Sequence, residues 1–244
     1  MVTSLVNKYS PDSLVLYNGG NILRSQEMYQ PAVLAEIPRF LAGHPTCNIF
    51  EIESRVDDIL LYGESIRSIR ANLGAKRLRI RLGIEYFDDA LLWRHRKGIT
   101  QEQIKKAAGF LNESGIEWNG YVLFGGLDMD LSEARISAKR TAKFMVDAGA
   151  FKISINGMFT TRELERNFGR RIYVPAYSDL VEVLKELFNY CRKQKRKIIF
   201  KVGFEEEDIG SISRMPYVSG NISPEEVRKR LANFNLTQDL LSLK

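Results

Sequence analysis

Cysteine, histidine and long apolar runs are scarce in this sequence of 244 residues. Its two cysteines, Cys47 and Cys191, are too few for a disulfide scaffold or a metal site made of cysteine alone. Its two histidines, His44 and His95, fall in different predicted elements, so a histidine metal site is not expected. No apolar run approaches the roughly 18 residues of a membrane span, and the first residues lack a secretory signal pattern. We expect a cytoplasmic protein without a membrane partner and without a metal site of its own.

Several sequence signatures of common enzymes are also missing. The chain has no phosphate-binding P-loop, no nucleophile elbow, no internal repeat and no low-complexity segment. It does have 44% hydrophobic residues, enough for a sizeable core, and a formal net charge of +6. This charge suits RNA, a nucleotide or an acidic partner, but it also suits an ordinary basic enzyme.

Strand-like and helix-like segments alternate about six times. The strand-like segments cover residues 14–18, 48–54, 77–85, 120–126, 151–157 and 197–204. The clearest helical patterns cover residues 100–114, 131–149 and 177–195, with Ser132 as a candidate cap of the second. This alternation predicts an α/β fold with a parallel sheet, either a barrel or an open doubly wound sheet. Near the end, Ser223 and Pro224 predict the start of a further helix.

The predicted strands have two unlike faces. In residues 77–85 the apolar side chains Leu78, Ile80 and Leu82 alternate with charged ones, and other strands repeat the pattern. The charged positions on the strands include Glu51, Glu53, Arg55, Arg77, Arg79, Arg81 and Glu85. If helices cover the apolar face, the charged face lines a polar cavity whose charges pair across the sheet. Half-exposed strands with solvated charges are the alternative.

Six motifs occur in an order that resembles the radical S-adenosylmethionine (SAM) core, in its elongator-type and archaeosine-biosynthesis branch, which acts on tRNA. They are NGGN (18–21), FEIESR (50–55), LGIEYFDD (82–89) with RKG (96–98), YVLFGG (121–126), SINGMFTTRELE (154–165) and YVPAYSDLVEVLKEL (173–187). The likeness covers residues 14–204 and implies a partial (β/α) barrel of about six mainly parallel strands with outer helices. We expect this barrel in residues 1–215 and a C-terminal helical appendage in residues 216–244.

The resemblance implies which residues hold S-adenosylmethionine. Gly19, Gly20 and Asn21 match the family's glycine-rich turn, although Asn21 stands where many members carry an acid; a tight turn that needs glycine is the alternative. The other implied cofactor contacts are Glu53, Arg55, Glu85, Gly125 and Asn156, with Gly126 and Thr160 nearby. An internal ion pair of Glu53 or Glu85 with Arg79 or Arg81 is the alternative for the two acids. The resemblance identifies no catalytic residue.

The family's 4Fe–4S cluster is bound by three cysteines spaced CxxxCxxC, and this chain has no such motif. The resemblance places the cluster loop after a first strand that also has no counterpart here. We therefore expect either a cluster-bearing partner chain, an N-terminal segment that is missing, or a cluster-free descendant. Free buried thiols are expected for Cys47 and Cys191.

Three functions are compatible with the sequence. The first is a radical SAM-like core of a tRNA- or nucleotide-modifying enzyme that is inactive alone or depends on a partner. The second is a non-catalytic module that binds nucleotide, RNA or protein, with basic runs at residues 94–97 and 192–197 as phosphate contacts. The third is an unrelated barrel enzyme that uses Glu53 and Glu85 as acid and base.

Overall fold

The computed structural model describes residues 2–16, 22–24, 31–168, 172–203, 212–214, 216–218 and 222–243. The strands are β1 Ser13–Leu16, β2 Ile49–Arg55, β3 Arg77–Glu85, β4 Glu117–Phe124, β5 Gly126–Leu127, β6 Lys152–Gly157, β7 Thr160–Thr161, β8 Ile172–Tyr173, β9 Ile199–Gly203 and β10 Ile212–Arg214. The helices are α1 Val2–Tyr9, α2 Pro31–Gly43, α3 Val56–Leu61, α4 Gly63–Asn72, α5 Asp89–Arg94, α6 Gln101–Glu113, α7 Leu131–Asp147, α8 Arg162–Phe168, α9 Tyr177–Lys193 and α10 Pro224–Thr237. Two short 3-10 helices, Ile22–Arg24 and Leu240–Leu243, complete the described secondary structure.

Six strands form one sheet in the order β1-β2-β3-β4-β6-β9. The pairs β1–β2, β2–β3 and β6–β9 are parallel. The order in the sheet follows the order in the chain, which is the winding of (β/α) barrels and lacks the reversal of a doubly wound sheet. The predicted α/β fold with six parallel strands, outer helices and a C-terminal helix is confirmed. The two-residue strands β5 and β7 pair antiparallel with β8 and β10.

The chain divides into two compact units. The first contains residues 1–84 and 101–120, and the second contains residues 85–100 and 121–244. The predicted boundary between residues 215 and 216 stays a prediction.

The core of the first unit is built from β2, β3 and the helices around them. Alternate residues of β3, including Ile80 and Leu82, are fully buried, as period-two alternation predicts. Helix α6 contributes the predicted apolar stripe of Ile104, Ala107, Ala108 and Leu111, all buried. Gly115 follows this helix with φ of +62°, a left-handed conformation that glycine adopts without steric cost.

The second unit is organised by β6, β9 and the pair of helices α7 and α9. Ile153 and Ile155 of β6 and Phe200 and Val202 of β9 are buried. Helix α10 begins as predicted, because the Ser223 hydroxyl accepts a hydrogen bond from the Glu226 N–H at 3.2 Å. Helix α7 differs from the prediction: its cap is Asp130, whose carboxylate accepts from the Glu133 N–H at 2.8 Å, and not Ser132.

None of the helices within these described ranges combines the length and the hydropathy that crossing a membrane requires.

Candidate functional site

The charged face of the first unit is a ladder of paired ions. The register places Glu51 opposite Arg79 and Glu53 opposite Arg81. Arg81 reaches diagonally to form an ion pair with Glu51, and the Arg79 Nε lies 2.5 Å from a carboxylate oxygen of Glu117 on β4. These contacts confirm that charges on neighbouring strands pair across the ladder, as the two-faced pattern predicts.

The ion pairs of this ladder are largely removed from water. The side chain of Glu51 is 6% exposed, that of Arg79 is 19% exposed and that of Arg81 is 23% exposed. A charge at this depth is stable only while its partner remains, because water no longer solvates it fully. Solvation alone therefore does not account for these residues. The polar face of the first unit is therefore held together by ion pairs that are shielded from water.

Asn119 adds an unused acceptor to the same unit. Its side chain is buried on β4, two residues after Glu117 and so on the same side of the strand. Among the residues that the structure describes, no donor meets its Oδ1 atom. A buried amide oxygen without a donor costs roughly 1–3 kcal/mol, so a bound donor from water or a ligand would be stabilising there. The sequence interpretation missed Asn119, although its place in the alternation of β4 marks it.

Glu53 and Arg55 lie in the last three residues of β2, the carboxyl end of the strand. Both are half-buried. The Arg55 Nε donates to the Asp57 carboxylate at 3.0 Å, which turns this guanidinium toward the start of helix α3. Functional groups of parallel α/β folds lie at the carboxyl ends of the strands. A contact of Glu53 and Arg55 with a cofactor stays a prediction.

Glu85 ends β3 and belongs to the second unit. Its φ is +61°, in the left-handed region that residues with a side chain rarely adopt. Its carboxylate forms an ion pair with Lys97, so neither Arg79 nor Arg81 is the partner in this contact. Strained backbone of this kind costs about 1–3 kcal/mol and is concentrated at functional sites. The strain marks Glu85 as a candidate independently of any resemblance.

A buried tyrosine joins Glu85 to the end of β4. The hydroxyl of Tyr86 donates to the Gly125 carbonyl at 2.8 Å, and its ring packs on the ring of His95 with centroids 4.4 Å apart. Burial raises the pKa of the Tyr86 hydroxyl, which keeps it protonated as a donor. The second unit therefore brings Glu85 and Gly125 together at adjacent strand ends.

His95 is part of this arrangement and not of the basic surface. Its Nε2 accepts from the Leu127 N–H at 3.0 Å, so Nδ1 carries the proton and donates to the Leu91 carbonyl at 2.9 Å. Burial is the main cause that lowers the pKa of His95, and the neutral ring is the form that fits these contacts. His95 is the C-cap residue of α5, four residues after Leu91, so its ring reaches a carbonyl of the last helical turn.

Gly125 and Gly126 are required by the packing of the protein itself. A Cβ on Gly125, whose φ is +98°, would lie 2.5 Å from the Tyr173 carbonyl oxygen. A Cβ on Gly126 would lie 2.6 Å from both the His95 Nε2 and the Tyr86 hydroxyl. The glycine pair therefore fixes the turn after β4. A contact of its backbone with a cofactor stays a prediction.

The remaining predicted residues have different surroundings. Asn156 is half-buried, next to last in β6, and opposite Gly203 of β9. Thr160 is buried, and its hydroxyl donates to Glu165 at 2.9 Å. Gly19, Gly20 and Asn21 lie outside the described residues. All of these assignments stay predictions.

The two cysteines do not fit an iron–sulfur cluster. Cys47 belongs to the first unit and Cys191 to the second, and both are free and buried as expected. Burial raises the pKa of both thiols, which disfavours the thiolate that iron requires. In the part of the chain that the structure describes, no group of three or more histidine, cysteine and acidic side chains has the arrangement of a metal site.

Comparison with known proteins identifies similarity in structure. No protein-family model and no curated protein sequence matches the chain. The archaeal Methanocaldococcus infernus Elp3 with an N-terminal deletion superposes with a TM-score of 0.63 at 16% identity, over 88% of this chain and 54% of that one. Coproporphyrinogen III oxidase (HemN) of Escherichia coli, a radical SAM enzyme, superposes with a TM-score of 0.54 at 15% identity, over 77% and 42%.

These similarities establish a radical SAM-like fold. The chain spans about half the length of each of these two structures. At this level of identity the comparison concerns the fold, and function has to be argued from the residues themselves.

Proposed function

We propose that this radical SAM-like chain is the S-adenosylmethionine-binding part of a cytoplasmic enzyme that modifies tRNA or a related nucleotide. The observation that carries the proposal is the set of acceptors at the carboxyl ends of its parallel strands. Glu53 lies two residues before the end of β2, the strained Glu85 ends β3 and Asn156 lies near the end of β6. Glu53 belongs to the first unit, and Glu85 and Asn156 belong to the second.

The chemistry of these residues fits the cofactor. Carboxylates accept hydrogen bonds from an ammonium group and from ribose hydroxyls, and S-adenosylmethionine presents both. Asn119, with its buried and unmet Oδ1, is a further acceptor in the first unit. Bound there, S-adenosylmethionine would supply the 5′-deoxyadenosyl group for radical chemistry. The residues of this chain would bind and orient it.

The thiolates for an iron–sulfur cluster have to come from outside these residues. Three are needed and the sequence contains two cysteines, both buried with raised pKa values. A partner chain or an additional N-terminal segment is the proposed source. The chain alone would then bind the cofactor without catalysing the reaction.

Anaerobic reconstitution with iron and sulfide tests whether this chain can bind a cluster by itself. After desalting, the chain alone should retain no stable cluster absorption in the ultraviolet–visible spectrum, and it should match a Cys47→Ala/Cys191→Ala control. A stable 4Fe–4S spectrum from the unmodified chain that the control lacks would overturn the proposed external cluster. The measurement leaves the binding of S-adenosylmethionine to be tested separately.

A second candidate is an RNA-binding module without chemistry, and one surface feature favours it. Trp93 on helix α5 is 84% exposed, and Arg96 just beyond the helix is exposed as well. The neighbouring cations are engaged, since Arg94 donates to Glu133 at 3.1 Å and Lys97 pairs with Glu85. An exposed tryptophan beside an arginine suits a stacked base and a phosphate. The same surface would position tRNA in the enzyme.

Titration of fluorescent tRNA over a range of salt concentrations tests this surface. Trp93→Ala should weaken binding roughly 5- to 100-fold, the effect of losing one base stack. Arg96→Ala should reduce the salt slope by about one. Leu236→Ala serves as a control for another exposed apolar side chain, 85% exposed on α10, and should bind like wild type. Equal affinity of wild type and Trp93→Ala would exclude the proposed contact.

A further inference from the structure

Strand β9 is the last strand of the six-stranded sheet, and among the strands that the structure describes only β6 pairs with it. Its parallel partner is β6, with Ile199 opposite Lys152 and Lys201 opposite Ser154. In a parallel strand the backbone N–H and C=O of one residue point to the same side, and alternate residues point to opposite sides. Phe200 and Val202 therefore direct their backbone groups to the outer edge.

Two side-chain amides of helix α10 satisfy these outer groups completely. The Phe200 N–H donates to the Gln238 Oε1 at 2.8 Å, and the Gln238 Nε2 donates back to the Phe200 carbonyl at 2.8 Å. The Val202 N–H donates to the Asn235 Oδ1 at 2.7 Å, and the Asn235 Nδ2 donates to the Val202 carbonyl at 2.6 Å. A primary amide presents one acceptor and donors in the manner of a peptide group. Asn235 and Gln238 thus occupy the positions that a seventh strand would fill.

The rest of helix α10 is arranged to hold the two amides in place. Val227, Leu231 and Phe234 are buried on the same side, so the amides continue the apolar stripe of the helix. Phe234 and Phe200 both contact the ring of Phe188, with centroid distances of 6.0 and 5.2 Å.

Gln238 itself adopts a left-handed conformation, with φ of +57°, at the helix end. For a residue with a side chain this conformation is unfavourable, because Cβ comes too close to the following carbonyl oxygen. The two hydrogen bonds between its side-chain amide and the Phe200 backbone offset that disadvantage. The backbone of Gln238 is therefore shaped to place its amide against β9.

We infer that Asn235 and Gln238 seal the β9 edge against pairing with a second copy of this chain. An open edge strand is a template for pairing, and KIIFKVGF (197–204) is rich in β-branched and aromatic residues. Two identical edges related by a two-fold axis present matching donors and acceptors to each other. The exposed Ile199, 45% accessible, adds apolar surface to this edge. The second copy is therefore the occupant expected once the amides are removed.

The test replaces the amides with apolar side chains of similar size, Asn235→Leu and Gln238→Met together. Sedimentation velocity should show a dimer fraction that rises with concentration, relative to wild type at the same concentrations. Amide exchange at Phe200 and Val202 should be about tenfold faster in the monomeric fraction. Asn233→Leu is the matched control, because Asn233 is exposed on the same helix, and it should behave like wild type.

A double variant that keeps the wild-type association state at every concentration would overturn the inference. If the double variant does not fold, Asn235→Leu alone provides the test, since it leaves Gln238 in place. It should speed exchange at Val202 and leave Phe200 protected. Unchanged exchange at Val202 in a folded single variant would also overturn the inference.

Discussion

Replacing Arg81 with methionine should lower the free energy of unfolding by about 3–5 kcal/mol. The substitution removes the partner of Glu51, whose side chain is only 6% exposed, and leaves its charge without compensation. It also leaves Glu51 beside Glu53, the residue that faces Arg81 in the register. Glu51→Leu should be milder than Arg81→Met, because the Arg81 side chain is 23% exposed and retains contact with water. Urea unfolding followed by far-ultraviolet circular dichroism measures both changes.

The double variant Glu51→Leu/Arg81→Met separates a pair from two independent residues. Removing both charges leaves no unpaired ion, so the double variant should be more stable than Arg81→Met alone. Glu64→Gln is the surface control, since Glu64 is 87% exposed in its ion pair with Arg67, and it should leave stability nearly unchanged. Additive losses from the two single variants would show that the contact contributes no coupling and that the ladder is not a paired unit.

The periodicity of apolar side chains was sufficient to predict the six strands of the main sheet and the long helices α6, α7 and α9. Helix α6 was expected over residues 100–114 and occurs at Gln101–Glu113, and α9 was expected over residues 177–195 and occurs at Tyr177–Lys193. The strands β5, β7, β8 and β10 were not anticipated, because two or three residues are too short for any periodicity to develop. Their positions depend on contacts between distant segments.

The ion pairs show where pattern alone is insufficient. Period-two alternation placed the charges on one face, but it did not identify Lys97 as a partner of Glu85, for which Arg79 or Arg81 was the alternative considered. Glu85 pairs with Lys97, which is brought near by the segment that follows α5. A local pattern fixes the face on which a side chain lies. The partner depends on side-chain reach and on the path of the connecting loop.

Amide side chains were the least predictable feature. Asn119, Asn235 and Gln238 carry no charge and match no motif, so only their positions relative to the apolar residues of β4 and α10 mark them in the sequence. Their importance follows from burial in one case and from four short contacts with β9 in the other two. The apolar stripe of α10, continued by amides, is the signal that identifies the latter pair.

Calorimetric titration of S-adenosylmethionine into the purified chain tests whether this chain binds the cofactor. We expect saturable binding of one molecule in the absence of any cluster. Glu85→Gln should weaken it roughly 10- to 100-fold, the effect of losing a charge-assisted hydrogen bond. Glu102→Gln, the same change at a side chain 65% exposed on α6, should bind like wild type. Absence of saturable binding, or affinity unaffected by Glu85→Gln, would contradict the proposed binding of S-adenosylmethionine by this chain.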